Sequence, residues 1–292
     1  MRKFGLFATM LIVSTILILT GCNNDENDIP AGKSRLNILL TDSPFPIDLV
    51  SKTMVTIDKV EIRQKMESSM NAEDDSFVVL SNQEMQVDLL ELTNGVTEEI
   101  ASSDLEAGNY DMIRLLIVDA TVELKDGSTF DLKIPSGSSS GLKIKIDPEI
   151  NLSEGQTYDV LLDFDVSRSF VAKGNISGVI NGFNFKPVIR GVFLGAAGRI
   201  EGNVNNSASV DIENAMVKAW LTEEGVEIND SSIHIISSFT DLHGDYKLIG
   251  LPAGTYNVIC SSEGYQNDTL NDVSVTAGNA TKIDFHLVPD SE

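Results

Sequence analysis

Cysteine, histidine and tryptophan are nearly absent from this sequence of 292 residues: two, three and one, respectively. The cysteines, Cys22 and Cys260, form no C-x-x-C pair, and there is no H-E-x-x-H string, so the usual zinc signatures are missing. All three histidines, His234, His243 and His286, lie beyond residue 230. The first 230 residues therefore offer no imidazole base to a serine or cysteine nucleophile. Gly137-Ser138-Ser139-Ser140-Gly141 does spell G-x-S-x-G, but it lies in a glycine-serine loop between strand-like runs. That motif works only on a strand-to-helix elbow with a histidine nearby. Basic residues are also short, 21 against 44 acidic. Nucleic-acid binding needs basic surface to displace counterions, so that class is excluded. After residue 19 no long apolar run occurs, and no helical apolar period lasts three turns.

What the sequence has begins at its start. Met1-Arg2-Lys3 precedes an apolar run from Phe4 to Leu19, the layout of a secretory signal and short for a permanent membrane span. Leu19-Thr20-Gly21-Cys22 follows directly. These residues resemble the lipobox of bacterial lipoproteins. The resemblance implies cleavage between Gly21 and Cys22, with acyl chains on Cys22; two or more such chains anchor a protein stably. Asn23 to Gly32 is polar and aperiodic, a flexible tether. Asn23 is not the aspartate of the usual inner-membrane retention signal, and Asp25, Glu26 and Asp28 look like the acidic export signal of surface lipoproteins. The expected location is the cell envelope, lipid-anchored in the outer membrane and facing outward. Without the leader, 19 basic and 44 acidic residues remain, a formal charge of −25. Such a surface repels anionic headgroups, so membrane contact is expected through the lipid alone.

The remaining 271 or so residues are more than one small core usually occupies. Short β-type runs dominate. Ala120–Lys125, Asp126-Gly127 and Ser128–Ile134 read as a hairpin, because Asp-Gly tolerates the positive φ of a tight turn. Further strands are expected at 36–40, 54–62, 77–80, 110–118, 141–146, 157–165 and 183–193. Val55 and Ile57 fall in one alternation phase and Val60 and Ile62 in the other, which predicts a bulge. One short helix is expected at 96–102. The fold class is all-β: two β-sandwich-like domains behind a lipidated signal peptide and tether. The expected divisions are 1–21 signal peptide, 22–32 tether, 33–195 first domain and 199–292 second domain, parted by the small-residue stretch Gly191–Gly198.

Ile200-Glu201-Gly202-Asn203-Val204, Ala215–Trp220, Thr240–Tyr246, Leu251-Pro252-Ala253-Gly254-Thr255-Tyr256 and Glu263-Gly264-Tyr265 resemble the carboxypeptidase regulatory-like domain. That family implies a transthyretin-related sandwich with no peptidase activity of its own, whose relatives include carbohydrate-binding and adhesin stalk modules. Residues 33–195 resemble exported lipoprotein domains of the unknown-function family DUF4382. The resemblance is carried by Leu39–Pro44, Val55–Ile62, Val87–Gly95, Tyr110–Leu115, Pro135–Lys143, Leu162–Asp165 and Lys186–Arg190. Leu105–Tyr110 repeats the L-x-A-G-x-Y of Leu251–Tyr256 and suggests a sandwich there too.

For chemistry, the carboxylates are the candidates. Asp163 and Asp165 share a strand face and are weak calcium candidates, with Asp42 able to join them from a loop, as are Asp241 and Asp245. No EF-hand spacing is present, and turn and surface roles are the better account. Paired acids also suit a glycosidase flanking a cleft, but one tryptophan and modest size count against it. Cys260, at the end of Tyr256-Asn257-Val258-Ile259-Cys260, reads as a small buried residue. The expectation is a non-catalytic adhesion, assembly or ligand-presenting module needing no cofactor, with a glycan or an envelope protein as partner. The alternative is a carbohydrate-binding accessory or a carboxylate-based envelope enzyme. Replacing Cys22 by serine is expected to abolish radiolabelled palmitate incorporation; unchanged labelling would refute the anchor.

Overall fold

A computed structural model describes residues 29–43, 49–65, 77–134, 140–174, 180–222 and 236–290. Cys22, residues 137–139 of the G-x-S-x-G string and His234 lie outside them. The architecture is all-β, with two β-rich domains.

The first domain holds β1 (Lys33–Ser43), β2 (Val50–Gln64), β3 (Phe77–Ser81), β4 (Met85–Asp88), β5 (Glu98–Glu106), β6 (Gly108–Leu124) and β7 (Thr129–Asp131). They are followed by β8 (Leu142–Leu152), β9 (Thr157–Asp165), the one-turn helix α1 (Val166–Ser169), β10 (Phe170–Gly174), β11 (Ile180–Phe185) and β12 (Ile189–Phe193). Ten strands make one sheet in the order β3-β2-β6-β8-β12-β9-β1-β5, with β4 beside β2 and β7 beside β6. Its edge strands β3 and β5 return to within 8 Å of each other, so the sheet curls around a single core. Alternation builds that core. Leu36, Ile38 and Leu40 of β1 and Val160, Leu162 and Phe164 of β9 are wholly buried on the inner face.

The bulge is where the apolar phase placed it. The β2–β6 register shifts on both sides of Ile57, and Val55, Ile57, Val60 and Ile62 are all buried. β6 changes phase at the same level, from Ile113, Leu115 and Ile117 to Ala120, Val122 and Leu124. The runs read as two strands around residue 119 are therefore one. The hairpin turn at Asp126-Gly127 is present, with Gly127 at φ +86° and Leu124 N–H donating to the Ser128 carbonyl. The run 183–193 is split between β11 and β12 at Pro187, which has no N–H for a ladder.

The helix expected at 96–102 is absent. That stretch begins β5, paired antiparallel with β1, with Ala101 opposite Ile38 and Ser102 opposite Asn37. Ile100 and Ala101 are buried, and Ser102 Oγ donates to Asn37 Oδ1 at 2.8 Å. Pairing along a buried edge outweighs local propensity here.

The second domain packs two sheets face to face. One contains β13 (Ala197–Asn206), β16 (Asp245–Pro252), β19 (Ala280–Lys282) and β20 (Phe285–Leu287). The other runs β15 (Ile236–Phe239), β14 (Met216–Leu221), β17 (Gly254–Ser261) and β18 (Asp268–Val275). Between them lie Ile200, Val204, Leu248 and Phe285 against Val217, Ala219, Val258 and Cys260, all wholly buried. Burial pushes the Cys260 thiol up to about 12, so it stays protonated and apolar.

The two L-x-A-G-x-Y segments form the same corner. Tyr110 Oη donates to the Glu106 carbonyl at 3.0 Å, and Tyr256 Oη donates to the Pro252 carbonyl at 2.7 Å. Each tyrosine reaches back four residues across a strand-to-strand bend and is buried. Tyr110→Phe and Tyr256→Phe should each lower unfolding free energy by about 1 kcal/mol, because the carbonyl loses its donor. Urea titration checks this, and a change near zero would mean the corners do not need the hydroxyl.

Candidate functional site

β9 and β12 run antiparallel with Asp163 directly opposite Arg190, so the two side chains meet across strands on the outer face of the curled sheet. Arg190 Nη2 donates to Asp163 Oδ2 at 2.8 Å, and its Nη1 donates to the Gly250 carbonyl of the second domain at 2.7 Å. Around this bridge Leu161 and Val192 pack with Ala197, Leu39, Leu194 and Ile249, an apolar joint between the domains. Gly250 has φ +70°, and a Cβ there would come within 2.8 Å of Leu161 Cδ2, so the close approach requires glycine. A second tie comes from Asn94, whose Nδ2 donates to the Asp245 carbonyl at 3.1 Å. The second domain thus lies along the first through β16.

This contact fixes the polarity of the molecule. The chain passes from Pro30 into β1 at Lys33, at one end of the curled sheet. Asp42 lies at the other end of β1, bonded through its N–H to the Leu92 carbonyl. Asn94 and Asp245 meet at that same end.

The rim there gathers carboxylates. Asp165 caps α1, accepting from the Arg168 N–H at 2.9 Å and from Ser167 Oγ at 2.7 Å, and Arg168 Nε also bonds it. Asp88 caps the short 3-10 turn Leu89–Glu91, taking bonds from the N–H groups of Thr53 and Leu90. Asp42 faces inward at the end of the Leu36, Ile38, Leu40 row and is 6 % exposed. Its Oδ1 accepts from Val166 N–H at 3.1 Å, while its Oδ2 is buried with no hydrogen-bond partner among the described residues. Desolvation first, then the charges of Asp163, Asp165 and Asp88, hold the Asp42 carboxyl well above the usual range. Burial thus favours the protonated form of Asp42.

The calcium reading of Asp163 and Asp165 is not supported by this arrangement: each carboxylate is bonded to an arginine, and Asp42 points to the opposite, inner face. Among the described residues no group of three or more His, Cys, Asp or Glu side chains is placed to hold a metal ion. Asp241 is used in a turn, accepting from the N–H groups of His243 and Asp245, and Asp245 Oδ1 accepts from Asn203. His243 lies in that turn and His286 is exposed on β20 beside Asn205. Sequence reasoning placed Arg190 only in a family-matching segment and missed its role, since nothing local says which carboxylate it will oppose.

Two cavities accompany these features. One, of about 350 Å³, lies in the seam between the sheet edges, lined by Leu80, Ser81, Met85, Glu99, Ile100 and Ser102. The other, of about 230 Å³, lies at the joint beside Leu194, Arg199, Ile249 and Asn279. Neither is lined by Asp163 or Asp165.

A raised carboxyl has a pH signature. The folded chain keeps the Asp42 proton at pH values where the unfolded chain has released it, so its contribution is full below the ordinary aspartate range and is lost as pH rises towards its folded value. Asp42→Asn keeps the shape without the titration. Its stability relative to wild type should rise from pH 4 to pH 8 in denaturant titrations, and a difference independent of pH would show that Asp42 is ionised.

Against known proteins, the carboxypeptidase regulatory-like domain matches residues 199–288. No curated protein matches the sequence. Among solved structures, the Bacillus anthracis TIE protein is 13% identical, with 88% of this chain and 34% of that one covered, at a TM-score of 0.24. The minor pilin GBS52 of Streptococcus agalactiae is 8% identical over 88% of this chain and 97% of that one, also at 0.24. A 3-chlorocatechol 1,2-dioxygenase from Rhodococcus opacus 1CP is 14% identical over 33% and 61%, at 0.25. The chain thus spans about a third of the TIE protein's length and three-fifths of the dioxygenase's, and likenesses this distant carry no functional weight. The domain of unknown function DUF4382 matches residues 33–187, more than half of the chain. The chain belongs to the DUF4382 family.

Proposed function

We propose that this chain is a cell-envelope lipoprotein, anchored through Cys22 in the outer membrane and facing outward, that serves as a non-catalytic module for adhesion, assembly or ligand presentation. The observation that carries the reading is the joint. Arg190, the apolar cluster around Leu161 and the Asn94 contact hold the domains side by side. The chain comes in at the Lys33 end of β1, and the second-domain turns around Asp245 meet the first domain at the opposite, Asp42 end. A tethered body of this kind displays those turns away from its anchor.

The carboxylates that an enzyme would use support the same reading. Asp163 and Asp165 are bonded to Arg190 and Arg168, so the two carboxylates are engaged with arginines and do not flank a cleft as a glycosidase pair must. The purified chain is expected to hydrolyse no ester, peptide or glycoside. Turnover that disappeared in Asp163→Asn or Asp165→Asn would replace this proposal with an envelope enzyme.

Display is tested on intact cells. Leu242, 73 % exposed at the far end, is changed to cysteine and treated with a membrane-impermeant maleimide. Labelling of intact cells is expected, with buried Cys260 silent in the parent chain. Labelling only after lysis would overturn outward presentation.

A further inference from the structure

Four segments close the far end of the second domain: 203–215, 240–246, 260–270 and 285–290. Their adjacency follows from the pairing of the strands they join. Asn206 N–H donates to the Val210 carbonyl, and Asn206 lies opposite Leu287. Gln266 N–H donates to the Val288 carbonyl, and Val204 N–H donates to the Gly244 carbonyl. A Cβ on Gly244 would come within 3.2 Å of the Asp211 Cβ.

Two features coincide on this surface. Val210, Leu242 and Val288 are 59, 73 and 52 % exposed, one on each of three neighbouring segments. Single exposed aliphatics are ordinary, but these three lie on segments joined by backbone pairing and offer apolar area that a partner could bury. The charge around them has one sign. Asp211, Glu213, Asp241, Asp245, Glu263 and Asp290 are exposed, and these four segments contain no lysine or arginine. The cations of the domain lie elsewhere. Lys247 packs its stem against Gly95 at the joint, Arg199 and Lys282 flank Glu201 on the sheet face, and Lys218 is in the middle of β14.

We propose that this far end docks a protein surface in which lysine or arginine side chains surround an apolar patch. The inference rests on the outward-display reading above and names the class of partner displayed to. The aliphatic trio supplies area to bury, and the carboxylates select a basic rim and reject an acidic one. Exposed charges of this kind act mainly on association and are screened over about 8 Å at physiological salt.

The test uses the full chain in neutral detergent with three synthetic twelve-residue peptides, alternating Lys-Leu, Lys-Ser and Glu-Leu. A chain of net charge −23 attracts any polycation, so affinity alone decides nothing. Lys-Leu should bind at 0.15 M salt more tightly than Lys-Ser, and Glu-Leu should not bind. Hydrogen exchange should slow on Lys-Leu binding in the four segments. The triple variant Val210→Ser, Leu242→Ser, Val288→Ser, all exposed positions that leave folding intact, should weaken Lys-Leu at least tenfold. Asp211→Asn with Glu213→Gln and Glu263→Gln should flatten the salt dependence. Protection outside these segments, equal binding of Glu-Leu, or unchanged affinity in the triple variant would overturn the proposal. If calcium alone slowed exchange there, a cation site would replace it. The cell-labelling result is independent of these outcomes, so a failed docking surface and a failed display reading are told apart.

Discussion

One guanidinium holds this molecule together as a single body. Arg190 turns Nε and Nη2 to Asp163 of its own sheet and Nη1 to the Gly250 carbonyl of the second domain. A backbone carbonyl at a domain contact must find a donor or remain unsatisfied, and arginine's planar fork reaches two acceptors without reorganising. The apolar contacts of Leu161, Val192 and Ile249 supply area, but area alone permits sliding. The charged hydrogen bond sets the register. Gly250 allows it, because its φ of +70° disfavours other residues and a Cβ there would press on the Leu161 side chain.

The acidity of the sequence divides into distinct uses once the chain is folded. Some carboxylates neutralise arginines on the outer sheet face, as Asp104 does with Arg35 and Asp111 with Arg63. Others fasten turns, as Asp88, Asp165 and Asp241 do by accepting backbone N–H groups. Asp42 is buried, and desolvation holds its carboxyl well above the usual range. The segments at the far end of the second domain carry exposed carboxylates and contain no lysine or arginine.

The two tyrosine corners show how little sequence is needed to fix a bend. In each, glycine allows the turn between strands and tyrosine buries its ring while its hydroxyl returns to a carbonyl four residues back. The same six-residue pattern serves a curled sheet in one domain and a two-sheet sandwich in the other. The motif therefore specifies a local corner and not an architecture.

The sequence by itself determined the β character, most strand positions, the β2 bulge and the Asp-Gly hairpin. These depend on alternation and on turn chemistry, which are properties of neighbouring residues. Strand 157–165 was readable to the residue because its apolar run ends at an aspartate that caps the next turn. The segment 96–102 was not readable as a strand, because only its pairing with β1 makes it one. The role of Asp163 was likewise beyond reach. Whether a strand carboxylate meets a metal ion or an arginine depends on which strand lies beside it, and β12 is separated from β9 by α1 and a hairpin. The polarity of the whole molecule was also decided by tertiary structure, since it comes from one domain lying along the flank of another.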